Sequence, residues 1–454
     1  MLTELAYDYA RQSELHQAAG RSDLDLATSG GLTPEGRVAH PHFFSGFVEH
    51  PPAVAAALLV LARVARTRFY VPPGMLAAIL RAADPVVTSS QEGLRFESFS
   101  ACCGVYARLD LEATSLDAEH LGVGVTNVDF NPPVRQALSA LNAVDPLHLS
   151  VGHDHVRVRT LDHDVVEEKV KLPSRWLRSF AETQSILGGM EPQLDVDRLG
   201  ATRLIQALPR NSATKSVSWV TPTGRGHRLA TRPTTGSVCL AGPERLRVLE
   251  PMLRHATRLR AWCAPVDATS TPRASAWALD IPGGRISVVL SPDKSRGFSG
   301  EGTTLDDLRR DQVEADADLI SALLAFEPRI DVAALAAGAG LERDKVLGAL
   351  SLLAASGQVG YDLHADAYFH RPLPMIDGVL EAHHPRLVKA RELAQAGAVE
   401  MVDPGLAHVT SKDTRHEVRM NDAESCSCPW YARHRLDRGP CAHILAVRIV
   451  KEEQ

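Results

Sequence analysis

The sequence predicts an α+β multidomain protein: a mixed helix and antiparallel-strand N-terminal and middle region, then a winged-helix-like domain, then a C-terminal ββα knuckle. Three observations predict it. The chain of 454 residues is too long for one small core. The apolar pattern changes from a helical period to a period of two near residue 95, and helices return after residue 303. Three of the seven cysteines crowd together near the C-terminus, with a histidine beside the last of them.

Residues 1–90 read as a helical N-terminal region. Ala53 to Ala65 is rich in Ala, Leu and Val, and Pro51 and Pro52 suit its first turn, where a missing N–H does no harm. After the break at Pro72 and Pro73, Met75 to Ala83 resumes the helical pattern. Residues 91–302 read as an α+β middle region. Val105, Ala107, Leu109 and Leu111 alternate with Tyr106, Arg108, Asp110 and Glu112, which predicts a half-buried strand. Asn131 and two prolines open a short helix through Leu141, and alternating valines between Leu147 and Leu172 predict a meander of strands. Trp176 to Leu187 and Val196 to Leu208 read as helices, and Ser216 to Val220 and Arg228 to Arg232 as strands. Leu246 to Arg260 reads as one long basic amphipathic helix carrying Arg247, Arg254, His255, Arg258 and Arg260 just after Arg245. Ser275 to Ile281 and Arg285 to Leu290 flank a Pro-Gly-Gly turn and predict a hairpin.

Residues 303–374 run helix, helix, turn, helix, then two short strands around His364, the order of a winged helix. The helices are expected at Leu305 to Phe326, Asp331 to Ala337 and Glu342 to Ser356. Residues 375–403 hold a connector helix that starts at His383, His384 and Pro385, and residues 404–454 form the knuckle.

Charge and motifs narrow the function. A net charge of −6 excludes a whole-protein pull toward nucleic acid. Residues 311–374 carry ten acids against four bases, so the winged-helix-like domain is expected to contact protein and not phosphates. The N-terminus has no basic stretch followed by an apolar run, and Pro52 to Ala65 is too short to cross a bilayer, so a cytoplasmic protein is expected. Cys102, Cys103, Cys239 and Cys263 sit among apolar neighbours and read as buried small hydrophobes. No catalytic set emerges. The glycine-rich run from Gly297 to Gly302 lacks the lysine of a phosphate loop and the order of a nucleophile elbow. His40 with His42 and His153 with His155 lack matching ligand partners. The protein is expected not to be an enzyme.

The knuckle carries the chemistry. Leu406 to Thr410 and Glu417 to Met420 predict a hairpin, followed by Ser425-Cys-Ser-Cys-Pro-Trp and later Pro440-Cys-Ala-His-Ile-Leu-Ala-Val. In an extended chain, positions i and i+2 point to one side with Cα atoms about 6.6 Å apart. Zinc–sulfur bonds of about 2.3 Å close that gap, so Cys426 and Cys428 can share an ion. Cys441 and His443 can join them only if Cys441 stands at the start of a helix and His443 in its first turn, because i and i+2 diverge on a regular helix. Three thiolates and one imidazole close a tetrahedron around Zn and leave no place for water, so the site is structural. Between the two ligand pairs, Trp430, Tyr431, Arg433, Arg435 and Arg438 offer stackable rings beside guanidinium groups, a candidate contact for single-stranded nucleic acid or an acidic partner.

On these residues the tail resembles the SWIM zinc finger, whose pattern is C-x-C, a variable gap, then C-x-H. The longer chain, through Leu172-Pro-Ser-Arg-Trp-Leu and Ser295-Arg-Gly-Phe-Ser-Gly-Glu-Gly, is similar to a group of stand-alone bacterial SWIM proteins. That group is encoded beside MoxR-type AAA ATPases and von Willebrand A proteins, and the resemblance implies these as partners. The expected function is therefore a zinc-binding, non-enzymatic adaptor or scaffold whose finger makes protein–protein contacts. The alternative is a nucleic-acid-binding accessory factor that uses the zinc knuckle and the basic helix.

Overall fold

The computed structural model describes the chain except residues 1–5, 8, 10, 19, 68–83, 142–145, 153–169, 172–173, 214–215, 225, 294–296, 299–310, 374–384, 413, 422–423, 437–438 and 453–454. The expected helix at Met75 to Ala83, most of the meander before Leu172, part of the Gly297 to Gly302 run, and Arg438 lie outside the described residues.

A ten-stranded antiparallel sheet organises the first two thirds of the molecule. Its strands in chain order are β1 (Gly31–Thr33), β2 (Gly36–Val38), β3 (Val86–Ser90), β4 (Gly93–Phe99), β5 (Val105–Glu112), β6 (Gly124–Asn127), β7 (Glu191–Asp197), β8 (Arg258–Cys263), β9 (Ser275–Ile281) and β10 (Gly284–Leu290). In space they run β7-β8-β9-β10-β5-β4-β3-β6-β1-β2. A separate five-stranded sheet, spatially 116–121, 44–48, 147–151, 21–26 and 14–18, stands beside it. Among the described residues, the N-terminal region is thus built of strands before residue 50, with one helix after them. Ser22, Leu24 and Leu26 alternate with Arg21, Asp23 and Asp25, a period of two that the alanine-rich helix downstream overshadows.

The helices α1 (Pro51–Arg66), α2 (Pro132–Ser139) and α4 (Arg198–Ala207), with a 3-10 helix at Pro243–Met252, form one layer; α3 (Ser174–Leu187) lies elsewhere. Their starts follow local chemistry. Asn131 accepts from the N–H of Val134, and Asp197 from that of Gly200, while prolines occupy the first turns of α1 and α2. The layer covers one face of the ten-stranded sheet because strand side chains alternate: Val105, Ala107, Leu109 and Leu111 of β5, with Ile286, Val288 and Leu290 of β10, share a core with α1, α2, α4 and the 3-10 helix.

The arrangement has an approximate internal two-fold. β5 and β10 pair at its centre, Leu111 opposite Gly284 and Val105 opposite Leu290. Outward from that pair each half repeats: a helix leads into a three-strand meander, the fourth strand (β6 or β7) pairs at its outer side, and a second helix follows that strand. The expected long basic helix at Leu246 to Arg260 does not form. Pro251 removes an N–H, the 3-10 helix stops at Met252, and Arg258 already belongs to β8.

The other sheet face is covered as well. Tyr106, Ala276, Ala278 and Val289 pack with Phe180 of α3, and with Phe326 and Leu373, in a second core. The helices α5 (Asp311–Leu323), α6 (Val332–Ala339) and α7 (Arg343–Ala355) lead to a hairpin of β11 (Val359–Asp362) and β12 (Ala367–His370). Asp362, at the tip of β11, enters an ion cluster on β4 and β5. Arg95 reaches Asp110 at 2.6 Å and Asp362 at 2.8 Å, and Arg108 reaches the same two at 2.8 and 3.0 Å. A strand that alternation alone makes half-buried is therefore buried on both faces, one apolar and one ionic.

Candidate metal centre

The last part of the chain is a four-stranded antiparallel meander, β13 (Val399–Asp403), β14 (Leu406–Ser411), β15 (Thr414–Arg419) and β16 (Ser425–Cys426), with three helices, α8 (Pro385–Gln395), α9 (Pro429–His434) and α10 (Ala442–Glu452). Lys412 takes a left-handed φ of 48° in the expected turn of the hairpin. The connector helix packs Leu387, Ala390 and Leu393 into the same core as Ile444, Leu445, Ala446 and Val447 of α10. That core also contains Val346 and Leu350 of α7, so the finger shares apolar contacts with the three-helix unit before it.

Each ligand is placed by an element end. Cys426 closes β16, held by its pairing opposite Val418. Cys428 is the N-cap of α9 at φ −75° and ψ 155°, and its sulfur accepts from the N–H of Tyr431 at 3.4 Å. Cys441 directly precedes α10, and its sulfur accepts from the N–H of Ile444 at 3.5 Å. His443 lies in the first turn of α10 and turns Nδ1 toward the Cys426 sulfur at 3.7 Å. The helix start resolves the difficulty that a C-x-H pair meets on a regular helix. The four donor atoms all fall within 4.8 Å of one another, the three cysteines buried and the histidine half-buried.

The thiols act on one another. Hydrogen bonds from Cys426 and Cys441 draw the Cys428 thiol well below its ordinary range, and hydrogen bonding to Cys428 pushes the Cys426 thiol far above it. Three sulfurs that compete for protons this way are a poor resting arrangement by themselves. A divalent cation of zinc's softness relieves the competition by replacing the protons, and a Cys3His set suits it. The residues fit Zn, and the ion supplies folding energy and no open coordination position.

Around the four ligands stand residues that the sequence did not mark. The ring of His416 on β15 lies 4.2 Å from that of His443, tilted by 33°, and braces it. Arg386 of α8 donates to the carbonyl of Pro440 at 3.0 Å and lies over the Trp430 ring at 4.5 Å. Arg448 forms a two-point ion pair with Glu424, one arm at 3.0 Å. The signal for His416 was its place on a strand next to the ligand strand, which only the meander reveals. Of the candidate contact residues, Trp430 is occupied by Arg386 and by His434 at 4.5 Å, and Arg435 lies over Tyr431 at 5.5 Å. Arg433 and Arg435 are exposed. Trp430, Tyr431 and Arg433 lie on the short helix α9.

The basic helix fares differently. Arg245 is fully buried and donates to the carbonyls of Ala241, Gly104 and Ser291. Arg247 pairs with Glu250, Arg258 with Asp195, and Arg260 with Asp280. Those four guanidinium groups are bound within the molecule, which leaves only Arg254 and His255 of the expected stripe.

Residues 416–450 match the family model described as SWIM zinc finger, and the match spans all four ligands. No curated protein matches the chain. Among solved structures, the chain is similar to the PCNA2–PCNA3 complex of Sulfolobus tokodaii at 7% identity and a TM-score of 0.32, with 55% of this chain and 99% of that one covered. It is similar to the proliferating cellular nuclear antigen of Entamoeba histolytica at 8% identity and a TM-score of 0.31, over the same shares of each chain. No described helix is long and apolar enough to cross a membrane.

Proposed function

We propose that the chain is a non-enzymatic zinc-binding adaptor whose SWIM finger contacts protein partners, an AAA ATPase and a von Willebrand A protein among them. The observation that carries this reading is the closed donor set. Three cysteines and one histidine use every position of a tetrahedral ion, so the metal organises a surface and activates nothing. The acidic three-helix unit, joined to the finger by a common core, supports the same reading, since it is poorly charged for phosphate.

The test is reconstitution. MoxR-type ATPase and von Willebrand A proteins encoded in the same genome are mixed with the full zinc-loaded chain and run on a sizing column. Co-elution with either, lost for Cys428→Ser, is expected. If neither partner co-elutes, the adaptor reading toward these proteins fails.

A second reading, nucleic-acid binding through the knuckle, is favoured by the exposed Arg433 and Arg435. It expects weaker oligonucleotide binding for Arg433→Ala with Arg435→Ala.

A further inference from the structure

The helical layer over the ten-stranded sheet has an unusual charge. α1, α2 and α4 together carry Arg63, Arg66, Arg135, Arg198 and Arg203 and not one acid, in a chain whose net charge is −6. The layer's acids, Glu244 and Glu250, are in the 3-10 helix, where Glu250 pairs with Arg247 and Glu244 accepts from Ser212. Arg254 and His255 extend the set beyond the 3-10 helix. Arg63, Arg66, Arg198, Arg203 and Arg254 are exposed. Some exposed arginines elsewhere find acids, Arg21 with Asp23, Arg415 with Glu400 and Arg419 with Glu417, and others, such as Arg210, Arg228 and Arg343, do not among the described residues. Among the described residues these five make no ion pair.

The cations also stand close to one another. The Arg135 guanidinium is pulled down by burial and next by Arg66, with Asp84 and Asp129 behind it in partial compensation. The His255 imidazole is pulled down by burial and then by Arg254 and Arg198. Like charges left together with few neutralising acids raise the local potential and attract a polyanion. Between α1, α2 and the end of the 3-10 helix runs a groove of about 440 Å³ with Arg63, Arg254, His255 and Ser139 on its walls and Leu59 and Leu138 among its apolar lining.

We propose that this helical layer is a binding face for a nucleic-acid duplex, held through its phosphate backbone. The choice of ligand follows from what the layer lacks. α1, α2, α4 and the 3-10 helix contain no aromatic residue, so there is no ring for an unstacked base and single strands gain nothing here. Arginines on rigid helices suit regularly spaced phosphates and read no sequence. α1 is about 24 Å long, the rise of about seven base pairs. The proposal is independent of the adaptor reading and places the contact on the opposite end of the chain from the knuckle.

The experiment measures anisotropy of a labelled DNA duplex of arbitrary sequence, and of the matching single strand, with the full zinc-loaded chain between about 50 and 200 mM salt. The duplex is expected to bind more tightly than the single strand, with affinity falling more than about tenfold over that range. Replacing Arg63, Arg66, Arg203 and Arg254 together by Gln should weaken binding about tenfold or more and flatten the log–log salt slope by up to about four. Lys at the same four positions should retain most of the affinity, which separates charge from fold. Arg433→Ala with Arg435→Ala tests the separate knuckle reading, and any loss it causes should fall on the single strand and not on the duplex. No duplex binding at low salt, wild-type affinity in the Gln variant, tighter binding of the single strand, or loss confined to the knuckle variant would each overturn the proposal.

Discussion

At the residue scale, the centre depends on the order in which four side chains reach one ion. Cys428 is the pivot, because it caps α9, accepts from Tyr431 and receives the hydrogen bonds of the other two thiols. Cys428→Ser should reduce bound zinc from one ion per chain to a small fraction, read by elemental analysis of purified protein. Retention of a full ion would show that the remaining three donors suffice. His416→Ala removes the tilted ring packed against His443 and should weaken zinc affinity up to about tenfold, the lower range for outer-shell partners, in a chelator competition. The four ligands could be recognised from spacing alone, because a C-x-C and C-x-H pair has few other uses. His416, Arg386 and the Glu424–Arg448 pair could not, because their roles follow from strand neighbours and helix packing that no local pattern encodes.

At the element scale, the hairpin of β11 and β12 is the joint between the two large parts of the molecule, and its chemistry is acid-sensitive. Burial opposes the charge of Asp362, but Arg108 and Arg95 hold its carboxyl well below the usual range. A carboxyl with a depressed pKa contributes stability that is whole above its unfolded value, about pH 4, and is lost as pH falls below that. Burial pushes the His370 imidazole down to about 4, and its Nδ1 accepts from the N–H of Phe326 at 2.8 Å. The folded joint therefore favours the neutral ring. Its contribution is whole above about pH 6.5 and declines on acidification, by about 3 kcal/mol near pH 4. Both groups act in one direction, so urea midpoints should fall between pH 7 and pH 4, and His370→Gln should flatten the upper part of that decline. An unchanged profile in the variant would remove His370 from the account. Asp362→Asn leaves Arg95 and Arg108 half compensated and should lower stability at pH 7 by about 3–5 kcal/mol. The long basic helix failed at this scale for a visible reason: Pro251 and the demands of β8 outweigh helical periodicity.

At the scale of the whole molecule, the cores divide the protein unevenly. One core joins both sheets and the helical layer, and another runs continuously from α5 through the knuckle. Chelation should therefore open residues 404–450 and loosen α8 and α10, whose packing depends on the start of α10, while the body up to Leu290 stays resistant to protease. Limited proteolysis with and without chelator checks this, and identical patterns would contradict it. The sequence by itself determined the zinc centre, the β9–β10 hairpin, the three helices and hairpin after residue 310, and most helix starts, because each depends on neighbours within a few residues. Only the tertiary structure decided that strands dominate before residue 50, that two half-sheets meet at β5 and β10, which arginines stay free, and that Asp362 joins β4 and β5. Those outcomes depend on contacts between residues far apart in the chain, where burial and charge pairing override local pattern.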